Sequence, residues 1–177
     1  MRQRGEQLPI YASDAVREKL GWIDDLMSPF CRVAWRNHPE QFSTLADRIE
    51  LRAIALSTSS AFEIRTPDHR MLLAPAIPEI SPELAAAVKT ADTIIFDGTF
   101  WSNDELRAIR PGGKNAREMG HLPVKESLPL LREARAAHRI YIHINNTNPI
   151  LGPDSRERRA VESAGVIVGY DGLEFEV

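Results

Sequence analysis

Along this chain, apolar positions gather in short runs whose spacing switches between the period of a strand and that of a helix. Residues 48–56 (Arg-Ile-Glu-Leu-Arg-Ala-Ile-Ala-Leu) alternate polar and apolar, the signature of a half-buried strand. Residues 61–65 and 70–74 flank Thr66-Pro67-Asp68-His69, in which Pro presets one turn dihedral and Asp caps locally; the pair reads as a hairpin. Ser81 followed by Pro82 is an N-cap with proline at the first helical position, so residues 82–89 are predicted helical. Residues 93–96 (Thr-Ile-Ile-Phe) form the most apolar strand, ended by Asp97-Gly98-Thr99. Residues 103–110 are predicted helical, 111–115 a loop, 127–137 a helix, and 139–144 a β-branched strand. A helix over 155–164, ended by Gly165, leads to a closing hairpin of 166–170 and 173–177 about Asp171-Gly172.

Nearer the start, residues 8–12 read as a strand, and Ser13 or Asp14 caps a helix over 15–25. Pro29 starts or interrupts the next segment, and residues 30–46, with Trp35, Phe42 and Leu45, carry no clean period. Strands alternating with helices imply a layered α/β protein with a mixed sheet and flanking helices. No repeat, low-complexity stretch or linker divides the chain, so residues 1–177 are expected to form a single domain.

Composition narrows the function classes. The 177 residues carry 25 acidic and 22 basic side chains, a net charge of −3, which gives no basic stripe for a nucleic acid or an anionic membrane. The apolar runs are too short to span a bilayer, and the polar start shows no signal peptide. A single cysteine, Cys31, excludes an internal disulfide and a thiolate-rich zinc site within this chain. Beside Phe30 and Val33 it is expected to be a buried or half-buried thiol on a helix, and the expected compartment is the cytoplasm.

Chemistry gathers at three predicted strand or loop ends, where ligand sites in layered α/β proteins collect. Asp97 follows the most apolar strand and suits metal binding, histidine orientation or base chemistry, although a turn or cap aspartate looks the same. His121, after Gly120, sits where a loop meets a helix start; a lone histidine there is otherwise structural or merely exposed. His143 ends a strand rich in Ile and Tyr, and Asn145, Asn146 and Asn148 come next in a turn closed by Pro149. An Asn-rich turn alone would not need the histidine. His38, His69 and His138 lie in polar loops or at a helix end and are not expected to be catalytic.

Five segments carry a resemblance: Leu-Pro-Ile-Tyr-Ala-Ser (8–13), Phe-Asp-Gly-Thr-Phe-Trp (96–101), Met-Gly-His-Leu-Pro-Val (119–124), Ile-His-Ile-Asn-Asn-Thr-Asn-Pro-Ile-Leu (142–151) and Tyr-Asp-Gly (170–172). In these runs the chain resembles the carboxy-terminal half of the pyrroloquinoline quinone (PQQ) synthesis protein B family. That family is similar to the metallo-β-lactamase superfamily and, within it, to the tRNA 3′-processing nuclease branch. The resemblance implies a partial αββα sandwich with metal, iron or zinc, at the strand ends. It matches His143 to a metal ligand and Asp97 with His121 to a histidine–acid pair beside the metal. Asn145, Asn146 and Asn148 would face substrate. The implied activity is iron-dependent hydroxylation of the tyrosine ring of a Glu–Tyr-derived PQQ precursor. Carriage of PQQ or its precursor towards the periplasm is an older alternative, as are a non-catalytic binding half-domain and a metal-dependent hydrolase of the nuclease branch. The family's acidic/histidine metal motif, which ends in Asp-His in the amino-terminal half, and its cysteine cluster do not occur in this chain, so further ligands would come from elsewhere. With half the sandwich missing, an apolar sheet face is expected to be bare, pointing to a homo-oligomer or to other PQQ-pathway proteins as partners.

Overall fold

The computed structural model describes residues 7–176, which fall into two compact units, one ending at Glu40 and the other running from Gln41. In the first unit, β1 (Gln7–Tyr11) and β2 (Arg32–Arg36) pair in parallel, Leu8 opposite Val33 and Ile10 opposite Trp35. A parallel pair needs a crossover, and two short helices supply it: α1 (Asp14–Leu20), capped by the Ser13 hydroxyl, and α2 (Ile23–Met27). The single helix expected over 15–25 is therefore broken, at Gly21-Trp22. Glycine is among the poorest helix formers, and the Asp24 N–H turns back to the Gly21 carbonyl. Cys31 is half-buried as expected but not helical; it lies just past α2, its N–H bonded to the Met27 carbonyl, and leads into β2.

The second unit is built on one seven-stranded sheet in chain order: β3 (Ser43–Ala46), β4 (Ile49–Ala55), β5 (Ser60–Arg65), β6 (Arg70–Ala74), β7 (Thr93–Asp97), β8 (His138–Ile142) and β9 (Ile167–Val168). From β3 to β6 the pairing is antiparallel, so tight turns suffice; the one at Thr66-Pro67-Asp68-His69 closes on a Thr66 N–H to His69 carbonyl bond. From β6 to β9 it is parallel, and helices enter between strands: α3 (Pro82–Thr90), then α4 (Glu105–Ile109) and α5 (Val124–Glu133), then α6 (Arg156–Ser163).

Because side chains alternate across a strand, the register sorts the sheet into two faces. One row runs Ala74–Phe96–Tyr141–Val168 and the next pairs Leu72 with Ile94; with Ile54 and Ala61 these are at most 3% exposed. They form one core with Leu84 and Val88 of α3, Leu131 of α5 and Val161 of α6. Tyr141 fastens α5 from beneath through a 2.9 Å hydrogen bond between its hydroxyl and that of Ser127. Burial holds the Tyr141 phenol protonated well above the ordinary tyrosine range, a trend the Ser127 bond opposes and the nearby Asp97 charge adds to. The opposite face runs Ala53–Phe62–Leu73–Ile95–Ile140–Ile167, with Leu51, Ile64 and Met71 beside it. It is equally apolar, yet Phe62, Ile64, Met71, Leu73 and Ile95 are only half-buried and Ile167 is exposed.

Predicted boundaries move at α5 and β8 for identifiable reasons. α5 begins at Val124 rather than 127, because the Val124 and Lys125 N–H groups are taken by the Phe100 and Trp101 carbonyls of the loop after β7. It ends at Glu133, where the Arg139 guanidinium lies 3.3–3.4 Å from the Leu131, Arg132 and Ala134 carbonyls. β8 stops at Ile142, since His143 turns the chain with φ 57°. The closing hairpin does not form among the described residues: β9 pairs in parallel with β8, and 173–176 are not a strand, although Gly172 makes the expected turn with φ 83°. Val177, the last residue of that expected strand, lies outside the described residues.

Candidate metal centre

Asp97, His121 and His143 converge at the carboxy ends of the two central parallel strands. Asp97 is the last residue of β7 and is fully buried. Gly98 next to it has no alternative: a Cβ there would lie 2.8 Å from Tyr141 Cβ and 3.0 Å from the Ile142 carbonyl. The chain therefore presses against β8, fixing Asp97 in depth and direction. Four donors reach its carboxylate. Thr99 donates its N–H (3.0 Å) and O–H (2.6 Å) to Oδ1; Ile77 N–H (2.9 Å) and His121 Nδ1 (2.8 Å) meet Oδ2.

His121 is 8% exposed and comes after a 3₁₀ turn, residues Arg117–Met119, that ends in left-handed Gly120. Its N–H bonds to the Ala116 carbonyl at 2.9 Å and the next N–H, of Leu122, to the Ile77 carbonyl, so the backbone at the ring is fixed on both sides. The edge of Phe100 stands against the imidazole, centroids 5.9 Å apart. His143 is exposed, with Nδ1 3.1 Å from the Pro75 carbonyl and its ring 5.2 Å from that of His121. A carbonyl only accepts, so His143 Nδ1 carries the proton and Nε2 keeps its lone pair. The carboxylate beside His121 Nδ1 makes the same assignment there.

These residues fit part of a metal site. Among the described residues, donor atoms of Asp97, His121 and His143 lie within 4.8 Å of one another. Ligands about 2.1 Å from a common zinc stand roughly 3–4 Å apart, so the three side chains lie close enough together to surround one ion. Two imidazoles offer free nitrogens, whereas the four donors on Asp97 use the lone pairs a carboxylate has. Asp97 thus orients His121, and the described residues bring two free ligands where a mononuclear site usually takes about three.

The two histidines, but not the buried Asp97, border a cleft of about 480 Å³ lined by Thr99, Phe100, Leu106, Met119, His121, His143, Ile144, Asn145 and Asn146. Asn145 is held in it, its N–H bonded to the Thr99 carbonyl at 3.1 Å and its amide donating to Thr147 Oγ1 at 2.7 Å. Thr147 in turn donates to Glu105 at 2.6 Å, so α4 anchors the asparagine turn. Asn148 is placed elsewhere. It is 2% exposed, donates to the Gly98 and Thr99 carbonyls and accepts from Ile150 N–H, and so holds the turn down rather than facing the cleft.

Two contributors carry little or no mark in the sequence. Thr99 has a faint signal, a hydroxyl two residues past a strand-end aspartate, whereas the Pro75 carbonyl arrives from just past β6 with no side chain to mark it. A second cleft, of about 540 Å³, lies among Arg48, Glu50, Arg65, Asp68, Arg70 and Asp92 at the other end of the sheet. Its charges balance, and Arg65 is already paired with Glu50 at 2.7 Å, so it selects no ligand class. No helix among the described residues is long and apolar enough to cross a membrane.

Residues 1–144 match the model of the β-lactamase superfamily domain. Coenzyme PQQ synthesis protein B of Methylococcus capsulatus is 47% identical over 110 residues, 60% of this chain and 36% of that protein. The protein of the same name from Cupriavidus necator is 32% identical over 99% of this chain and 67% of its own length. Among solved structures, zinc-bound PqqB of Methylobacterium extorquens superposes with a TM-score of 0.81 at 24% identity, covering 97% of this chain and 63% of that one. The chain thus spans between about a third and two thirds of the length of these relatives, with the metallo-β-lactamase fold. It belongs to the coenzyme PQQ synthesis protein B family of the β-lactamase superfamily.

Proposed function

We propose that the chain serves PQQ biosynthesis as the portion of a B-type protein that supplies two metal-binding imidazoles and one wall of the substrate cleft. The observation that carries this reading is the anchoring of both Nδ1 atoms on acceptors, which leaves Nε2 uncommitted on two histidines that line one cleft. The proposed reaction is hydroxylation of the tyrosine ring of the Glu–Tyr-derived precursor, with dioxygen as the oxidant and oxygen source and a two-electron reductant taking its second oxygen to water, and the metal is iron. Imidazole ligands with open positions suit non-haem iron, which would supply the redox chemistry. Zinc fits the same nitrogens and is bound in the M. extorquens protein. His143 and His121 hold the ion, and Asp97 keeps His121 in its ligating tautomer. Phe100, Leu106, Met119 and Ile144 receive the aromatic ring, while Asn145 and Asn146 hydrogen-bond the peptide-like part of the precursor. The remaining ligands come from outside these residues, and the cytoplasm is the compartment.

The shortage of ligands favours one second reading, a half-domain that binds the precursor without turning it over. Both readings meet in one experiment. This chain replaces the matching part of an intact family member and is expressed in a strain lacking its own. Wild type is expected to restore PQQ production, and His143→Ala to abolish it while the thermal melt changes little. Full titre from His143→Ala would sink the site; iron loading without hydroxylated product would select the binding reading.

A further inference from the structure

Thr99 lies two residues past β7 and is 6% exposed. Its hydroxyl reaches three groups of the site: Asp97 Oδ1 at 2.6 Å, His121 Nδ1 at 3.2 Å and His143 Nδ1 at 3.1 Å. A hydroxyl has one proton and two lone pairs. The carboxylate oxygen can only accept, so at 2.6 Å it takes the proton. Toward the imidazoles Thr99 then presents lone pairs, and a lone pair is satisfied only by an N–H. Each Nδ1 also faces a second acceptor, Asp97 Oδ2 for His121 and the Pro75 carbonyl for His143.

We propose that Thr99 is a positioning residue, which holds His121 and His143 together as Nδ1–H tautomers and so keeps both Nε2 lone pairs available at once. The proposal rests on the cleft being a metal site and adds the group that couples its two ligands. The residue is built for the task. Its N–H bonds to Asp97 Oδ1 at 3.0 Å, and its carbonyl accepts from Asn145 N–H at 3.1 Å and from the Asn148 amide at 3.3 Å. A β-branched side chain on so fixed a backbone has little freedom at χ1. Asp97 hydrogen-bonds His121 and the Pro75 carbonyl hydrogen-bonds His143; Thr99 hydrogen-bonds both.

The test compares Thr99→Val, which keeps the shape and loses the hydroxyl, with Thr99→Ser, which keeps the hydroxyl. In the metal-free chain at about pH 8.5, where imidazole is ordinarily neutral, ¹⁵N shifts of the labelled histidines report the tautomer. Wild type and Thr99→Ser are expected to show Nδ1–H at both His121 and His143, and Thr99→Val a mixture at one or both. Zinc affinity, read by competition with a chelating dye, is expected to fall about 10–100-fold in Thr99→Val and to stay within about threefold in Thr99→Ser. A folded Thr99→Val with wild-type tautomers and affinity overturns the proposal. Should the valine variant unfold, the serine variant decides: wild-type tautomers support the role and mixed ones overturn it. Locked tautomers in a wild-type chain that binds no zinc would sink the metal reading and leave the role of Thr99 standing. Zinc bound with mixed tautomers in wild type would do the reverse.

Discussion

Leu72 and Leu73 are neighbours in β6, yet their surroundings differ. Leu72 is fully buried beneath the helices, in the row with Ile94; Leu73 is half-buried on the other face, between Phe62 and Ile95. Both faces are apolar, so hydrophobicity does not distinguish them. What distinguishes them is whether the chain itself delivers a covering layer. The parallel connections after β6 must travel the length of the sheet, and the helices that make the journey pack on one side. The antiparallel turns before β6 deliver nothing to either side.

The largest effect expected from this contrast is on stability. Leu72→Ala should cost about 2–5 kcal/mol, the range for a leucine truncated in a closed core. Leu73→Ala should cost about 1 kcal/mol, because part of its area already meets water. Urea melts of the two variants would measure both, and equal losses would end the distinction between the faces. Next comes a pH limb. Tyr141 lies on the covered face with its phenol held protonated above the ordinary range. The folded state then keeps a proton that the unfolded chain releases, so stability is intact below about pH 10 and falls as pH rises above it. The expected slope is up to about 1.4 kcal/mol per pH unit. Tyr141→Phe should flatten this alkaline limb, and an unchanged limb in that variant would assign it to another group. The smallest stability effect, with the clearest change in behaviour, belongs to Leu73→Lys. A charge on the half-buried face should alter the melt little and, if a second copy covers that face, shift sedimentation towards the monomer; an unaltered sedimentation profile would count against that face as a contact between copies.

Legibility in the sequence tracked the range of the forces involved. The hairpin at Thr66-Pro67-Asp68-His69 and the start of α3 at Ser81-Pro82 were readable because turn dihedrals and capping hydroxyls act within four residues. The start of α5 was not, because the acceptors that let it begin at Val124 belong to Phe100 and Trp101. The closing hairpin failed for a related reason: Gly172 made its turn, but the parallel edge of β8 took β9. In the site, Asp97, His121 and His143 could be named as separate candidates from residue type and strand ends. Their joining through Thr99 and Pro75, and the withdrawal of Asn148 into the turn, depend on contacts across 44 to 68 residues that no local pattern carries.

His143 also holds the left-handed backbone, φ 57°, that ends β8. Outside glycine this conformation is uncommon and disfavoured, so the chain is less stable here than it would be with the smallest residue. Stability and chemistry therefore ask for different amino acids at one position. Selection for thermostability alone, applied to a library at position 143, would enrich glycine and return a sturdier protein with its imidazole gone. The persistence of histidine against that gradient would mark the position as kept for what it binds.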